Sequence, residues 1–166
     1  MKLKQSLLAL GLLATAALSA CEKDKTVAAG TCSVKIDDVL VTINKQLTAT
    51  YYDTGSVNSY LIISGLGADN QGITINVVFP DTQLKPGTYV LSNSTYNYLA
   101  WYKSGFSEAY SADDVNDGGM ATITLETISE TKAKGTFSGK LINDVDAAQS
   151  KTITEGKFDV TVLRMK

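Results

Sequence analysis

Beyond residue 30 the chain alternates apolar and polar positions with a period of two. Ile73, Ile75, Val77 and Phe79 share one parity, with Thr74, Asn76 and Val78 between them. Ala121, Ile123 and Leu125 alternate with Thr122, Thr124 and Glu126, and Phe158, Val160 and Val162 alternate with Asp159 and Thr161. Successive side chains of a strand point to opposite faces, so this period predicts half-buried β-strands. Weaker versions cover 33–36, 39–44, 48–52, 60–64, 88–92, 98–103, 107–110 and 135–142. No stretch after residue 30 keeps a helical period over three turns.

Turn-forming residues punctuate these runs. GADNQG at 67–72 separates two strands, and Asp37-Asp38 sits naturally in a hairpin turn. Pro80 closes the strand ending at Phe79, because proline cannot donate to a ladder. Pro86-Gly87 fits a type II turn, with glycine supplying the positive φ of its third position. Asn116-Asp117-Gly118-Gly119 reads as a hairpin loop. Gly135 and Gly156 each precede a strand carrying one aromatic, Phe137 and Phe158, which predicts bulges or close backbone approach. About nine short strands with short connections predict a single all-β domain over 32–166. Its expected form is an antiparallel β-sandwich; an antiparallel, lipocalin-like β-barrel is the alternative.

The first thirty residues follow other rules. Lys2 and Lys4 precede an uncharged run over 7–18, rich in Leu and Ala, and small residues follow at 19–20. This is the pattern of a secretory signal peptide, here 1–20. Its apolar part is shorter than the roughly 20 residues that span a bilayer as a helix. Leu18-Ser19-Ala20-Cys21 resembles the lipobox of bacterial lipoproteins. That resemblance implies a diacylglycerol thioether on Cys21 and cleavage before it. A single acyl chain anchors only marginally, whereas two or more hold a protein stably to a membrane. The polar, aperiodic segment 21–31 then reads as the lipidated cysteine with a flexible tether, able to span about 15–20 Å. Glu22-Lys23-Asp24 resembles the charged export signal of surface-exposed Bacteroidetes-type lipoproteins. It implies an outer-membrane address with display at the cell surface; display on the periplasmic side is the alternative.

Composition narrows the chemistry. Loss of Lys2 and Lys4 leaves 13 of the 15 basic residues against 17 acids, and Arg164 is the only arginine. A mildly acidic chain lacks the clustered cations that bind nucleic acid. With Cys21 consumed by lipid, Cys32 has no partner for an intrachain disulfide, and it reads as a small buried hydrophobe. Histidine is absent, which removes the commonest general base and metal ligand together. There is no Gly-x-Ser-x-Gly elbow and no phosphate-binding loop. No enzyme is expected and no cofactor is called for; hydrolysis by paired carboxylates is the weakest alternative.

Further pieces resemble a family of small Bacteroidetes-type lipoproteins with a β-rich domain of unknown function. They are VKIDDVLVTIN at 34–44, GITIN at 72–76, PGTY at 86–89, ATITL at 121–125, GTFS at 135–138 and ITEGKFDV at 153–160. The resemblance covers nearly the whole mature domain, and it departs at Leu40, where family members often carry an aromatic. It implies a β-rich surface lipoprotein and transfers no catalytic residue.

Two segments are candidate sites. Seven of the chain's thirteen aromatics fall between Tyr89 and Tyr110. Tyr96, Tyr98 and Tyr102 share one parity and Trp101 takes the other, so one set can face water and stack on a sugar or anchor a protein partner. The other set then fills the core. Asp113, Asp114 and Asp117 crowd one loop and could offer oxygen ligands to Ca²⁺, although Val115 breaks the EF-hand spacing. Asn93-Ser94-Thr95 spells a glycosylation sequon and reads as a turn. The expected function is a lipid-anchored, non-enzymatic binding module for a protein or glycan. A small-molecule carrier with an apolar barrel pocket is the alternative.

Overall fold

The computed structural model describes residues 30–55, 58–80, 83–91, 96–103, 108–113 and 118–165. The segments read as signal peptide and tether, up to residue 29 and with Cys21 between them, and likewise the sequon, Asp114 and Asp117, lie outside the described residues. The described chain is all-β, with eleven strands: β1 (Thr31–Ile36), β2 (Val39–Tyr52), β3 (Asn58–Gly67), β4 (Gly72–Pro80), β5 (Gly87–Val90), β6 (Tyr98–Tyr102), β7 (Ala109–Ala112), β8 (Met120–Ile128), β9 (Lys132–Asn143), β10 (Ser150–Thr161) and β11 (Leu163–Met165).

These strands form a barrel, not the expected sandwich. The ladder runs β10-β1-β2-β3-β4-β6-β7-β9, and β9 pairs back onto β10 to close an antiparallel ring of 8 strands. Alternation could not tell the two forms apart. It records one buried face per strand, and that face meets an opposing sheet in a sandwich and the barrel interior here. The ladders carry the register shifts that bend long strands. In β2 one shift lies between Lys45 and Thr48, around Gln46 at φ 50°, so the two predicted strands 39–44 and 48–52 are one bulged strand. In β10 another shift lies between Ile153 and Gly156. Gly87 is extended at φ 159° and opens β5 instead of completing a type II turn. β11, absent from the sequence expectation, runs parallel to β2 beside 50–52, in the space beyond the start of β1.

The interior is packed with side chains. Val34, Leu61, Ile63, Ile73, Ile75, Val77, Leu99, Ile123 and Leu141 are all fully buried. Phe79, Phe137 and Phe158 join them in one continuous core with Trp101 and Tyr110. A closed ring of eight strands has an interior that side chains can just fill.

The end of the barrel opposite Thr31 carries the β1–β2 turn, where Asp37 and Asp38 have positive φ of 47° and 67°, as a two-residue hairpin requires. The Asp37 carboxylate accepts from the Lys151 ammonium at 2.8 Å and the Thr152 N–H at 2.9 Å. The same ammonium lies 5.9 Å from the centroid of Trp101 and 5.6 Å from that of Tyr110, capping the apolar interior with a cation over two rings. The Lys151 hydrogen bond, then the Thr152 amide, hold the Asp37 carboxyl below its ordinary 3.8. A depressed folded value stabilises the fold above the ordinary value, and that contribution is lost as pH falls through the folded one. Thermal melts followed by circular dichroism should therefore show Tm falling below about pH 4. Asp37→Asn should start lower at pH 7 and fall less; parallel pH profiles for the two proteins would refute this.

Candidate functional site

β4 is longer than the strand beside it. Its first half pairs with β6, from Gly72↔Tyr102 to Asn76↔Tyr98, whereas among the described residues Val77 to Pro80 have no strand on that side. Among the described residues β5 pairs only with β8 and ends the sheet path. The wall is therefore split between the second half of β4 and β5. Beneath the split the Phe79 and Tyr89 rings meet edge to face, 5.5 Å apart at 79°, so side chains close the barrel where a ladder does not. The Tyr89 hydroxyl donates to the Lys85 carbonyl at 2.6 Å.

Over this floor lies a groove of about 390 Å³ on the outer wall. Val78 and Pro80 of β4 form one side, Thr88 and Val90 of β5 the other, and Asn58, Tyr96 and Asn97 line it as well. Among the described residues no charged side chain lines it.

The main chain along the groove is unusual. Asn97, only 5% exposed, accepts the Val78 N–H on its side-chain oxygen at 2.8 Å. Main-chain groups alternate sides along a strand, so residue 80 faces the same way as residue 78, and proline has no N–H to offer. The β4 edge thus presents the carbonyls of Val78 and Pro80 and no free donor. On β5 the Leu91 N–H donates to the Ala121 carbonyl just past the strand. By the same alternation, Thr88 and Val90 turn their amides and carbonyls toward the groove.

Tyr96 stands at the rim. It is 68% exposed and left-handed at φ 52°, a conformation that costs a residue with a Cβ about 1–2 kcal/mol. Its carbonyl accepts from the Asn76 amide at 2.9 Å, so the half-buried Asn76 and the buried Asn97 pin this backbone in place. Strain that the surroundings hold in place is a pointer toward function.

The four aromatics singled out from the sequence are thus separated. Trp101 is 5% exposed and belongs to the interior, so its ring is not available to a ligand outside the barrel. Tyr98 and Tyr102 lie half-buried on the outer face, with burial raising the Tyr98 phenol. Of the four, Tyr96 alone lines the groove. Asn58, Thr88, Val90 and Asn97 went unnoticed because they come from three separate stretches and form no motif.

Asp113 shares the Ser111 hydroxyl with Asp144. The Ser111 hydroxyl lies 3.1 Å from the one carboxylate and 2.8 Å from the other. Among the described residues no group of three or more His, Cys, Asp or Glu could hold a metal ion. Cys32 is buried, and desolvation pushes its thiol up to about 12, which makes it unreactive at neutral pH. A second depression, about 400 Å³, lies near the start of β1 between Glu126, Lys134, Lys157 and Asp159. There Lys134 pairs with Glu126 at 2.9 Å and Lys132 with Asp159 at 3.0 Å, so its charges largely compensate one another.

No protein-family model, curated protein or solved structure matches the chain.

Proposed function

We propose that this chain is a lipid-anchored extracytoplasmic binding module, without enzymatic activity, that holds its ligand in the groove between β4 and β5. The observation that carries the reading is the split wall: a groove whose described lining is uncharged, over an aromatic floor, with a strained, exposed tyrosine at its rim. A closed barrel is also the shape of a small-molecule carrier. An internal ligand would, however, have to displace side chains that are already fully buried, which favours the outer site. The signal-like 1–20, Cys21 and the tether support attachment to the outer membrane, with surface display suggested by Glu22-Lys23-Asp24.

Cys21→Ala should abolish metabolic palmitate labelling and move the protein from the membrane to the soluble fraction. Unchanged labelling would remove the anchor. Val90→Trp places an indole in the groove. A ligand at a hundred times its Kd stabilises the folded state by about 2.7 kcal/mol, a readable shift in Tm. Compounds from a panel of oligosaccharides, peptides and lipid vesicles should raise the Tm of the wild type but not of Val90→Trp. Equal shifts in both proteins would place binding elsewhere.

A further inference from the structure

We infer that the ligand of this groove is a neutral saccharide, an assignment that rests on the groove being the binding site proposed above. Three features converge on that chemistry. The described lining carries no charge, so among these residues an ionic ligand would leave water without a counter-charge to meet it. The β4 edge offers the carbonyls of Val78 and Pro80 with no free N–H, because Asn97 occupies one donor and proline lacks the other. An extended peptide brings alternating donors and acceptors, and its carbonyls would meet main-chain donors only on β5, where Thr88 and Val90 face the groove, and none on this edge. Sugar hydroxyls donate freely, and those two carbonyls can receive them. Across the groove the Thr88 hydroxyl, 3.3 Å from that of Thr124, and on β3 the Asn58 side chain can each donate and accept, which suits a sugar hydroxyl in either role.

Tyr96 supplies the third feature. A sugar ring has an apolar C–H face, and a flat, solvent-exposed aromatic ring is its natural partner. A bulky residue in the left-handed region is a standing cost that glycine would avoid, yet Asn76 and Asn97 hold the tyrosine there. The cost is understandable if the ring position, not the turn, is what the site requires. The volume, about 390 Å³, falls among small-ligand sites, which run from about 300 to 1,000 Å³.

The test uses the full-length lipoprotein in detergent micelles and three sets of probes. These are neutral oligosaccharides of gluco, manno and galacto configuration, uronate-containing oligosaccharides, and extended peptides. Isothermal titration should find a neutral oligosaccharide that binds wild type. Tyr96→Gly should weaken it more than about tenfold while keeping or raising Tm, because glycine suits φ 52°. Tyr96→Phe, which keeps the ring, should bind within about threefold of wild type, allowing only for the lost hydroxyl. Wild-type affinity in Tyr96→Gly overturns the proposal. If instead a uronate or a peptide binds and depends on Tyr96, the saccharide class is overturned and the groove survives. If no probe depends on Tyr96 or is blocked by Val90→Trp, the groove falls as well.

Discussion

A valine at Gly135 is expected to leave no cooperative unfolding transition. A Cβ built there would sit 2.1 Å from the Thr124 carbonyl oxygen and 2.7 Å from Cζ of Phe158. The first obstacle is main chain in the β8–β9 ladder, where Gly135 pairs with Leu125 beside the register shift at Leu125/Thr127, so no rotamer change can clear it. Space is the constraint here, not a left-handed φ. Overpacking a core costs about 1–3 kcal/mol and occasionally more. Gly135→Ala should reach the top of that range, about 3 kcal/mol, and valine adds two methyls to a site without room for the first carbon. Urea denaturation checks both variants. A Gly135→Ala protein as stable as wild type would mean that β8 and β9 do not approach as closely as the structure has them. Gly135→Ala/Phe158→Ala should not recover the loss, because the Thr124 carbonyl remains.

Phe158→Ala should cost about 3–5 kcal/mol, the range for truncating a buried phenylalanine. Phe158 is 2% exposed, stacks on Phe137 with centroids 6.3 Å apart, and lies under Gly135, so two neighbours on β9 would border the void. In a domain of total stability about 5–15 kcal/mol this is a large fraction, and Tm should fall by roughly 10–15 °C. Phe158→Leu should keep most of the stability. The measurement also bears on function. A loss under about 1 kcal/mol would indicate an interior loose enough to accommodate a guest, and would revive the carrier. A large loss means that the barrel is spent on holding itself together, and leaves binding to the outer wall.

How much was legible depends on how local each determinant is. Strand positions were, because Ile73-Ile75-Val77-Phe79 announces its own buried face without reference to any other residue. Asp37-Asp38 announced its turn in the same way, since only φ > 0 at both positions matches the strand twist. The split of 39–52 into two strands failed at Gln46, where a bulge interrupts the period without ending the ladder. Type II geometry at Pro86-Gly87 failed because a strand pairing with β8 pulls Gly87 into extended form. In the aromatic segment parity did separate Trp101 from its neighbours, but nothing in it said which set faces inward. It gave no means of telling Tyr96, pinned by Asn76 and Asn97, from the half-buried Tyr98 and Tyr102.

Read on its own, the chain determined that strands would form, where most of them lie, and that residues 32–166 hold a single cysteine. The lipobox-like tetrapeptide and tether are equally local and need no fold to be read. Closure of β9 onto β10, and a β4 that outruns β6 while β5 turns to β8, were decided only in three dimensions. The reason is physical: a strand's side-chain period is written in its own residues, whereas its hydrogen-bonding partner is chosen by competition among all the other strands. A groove made where that competition leaves two edges unpaired has no sequence pattern of its own.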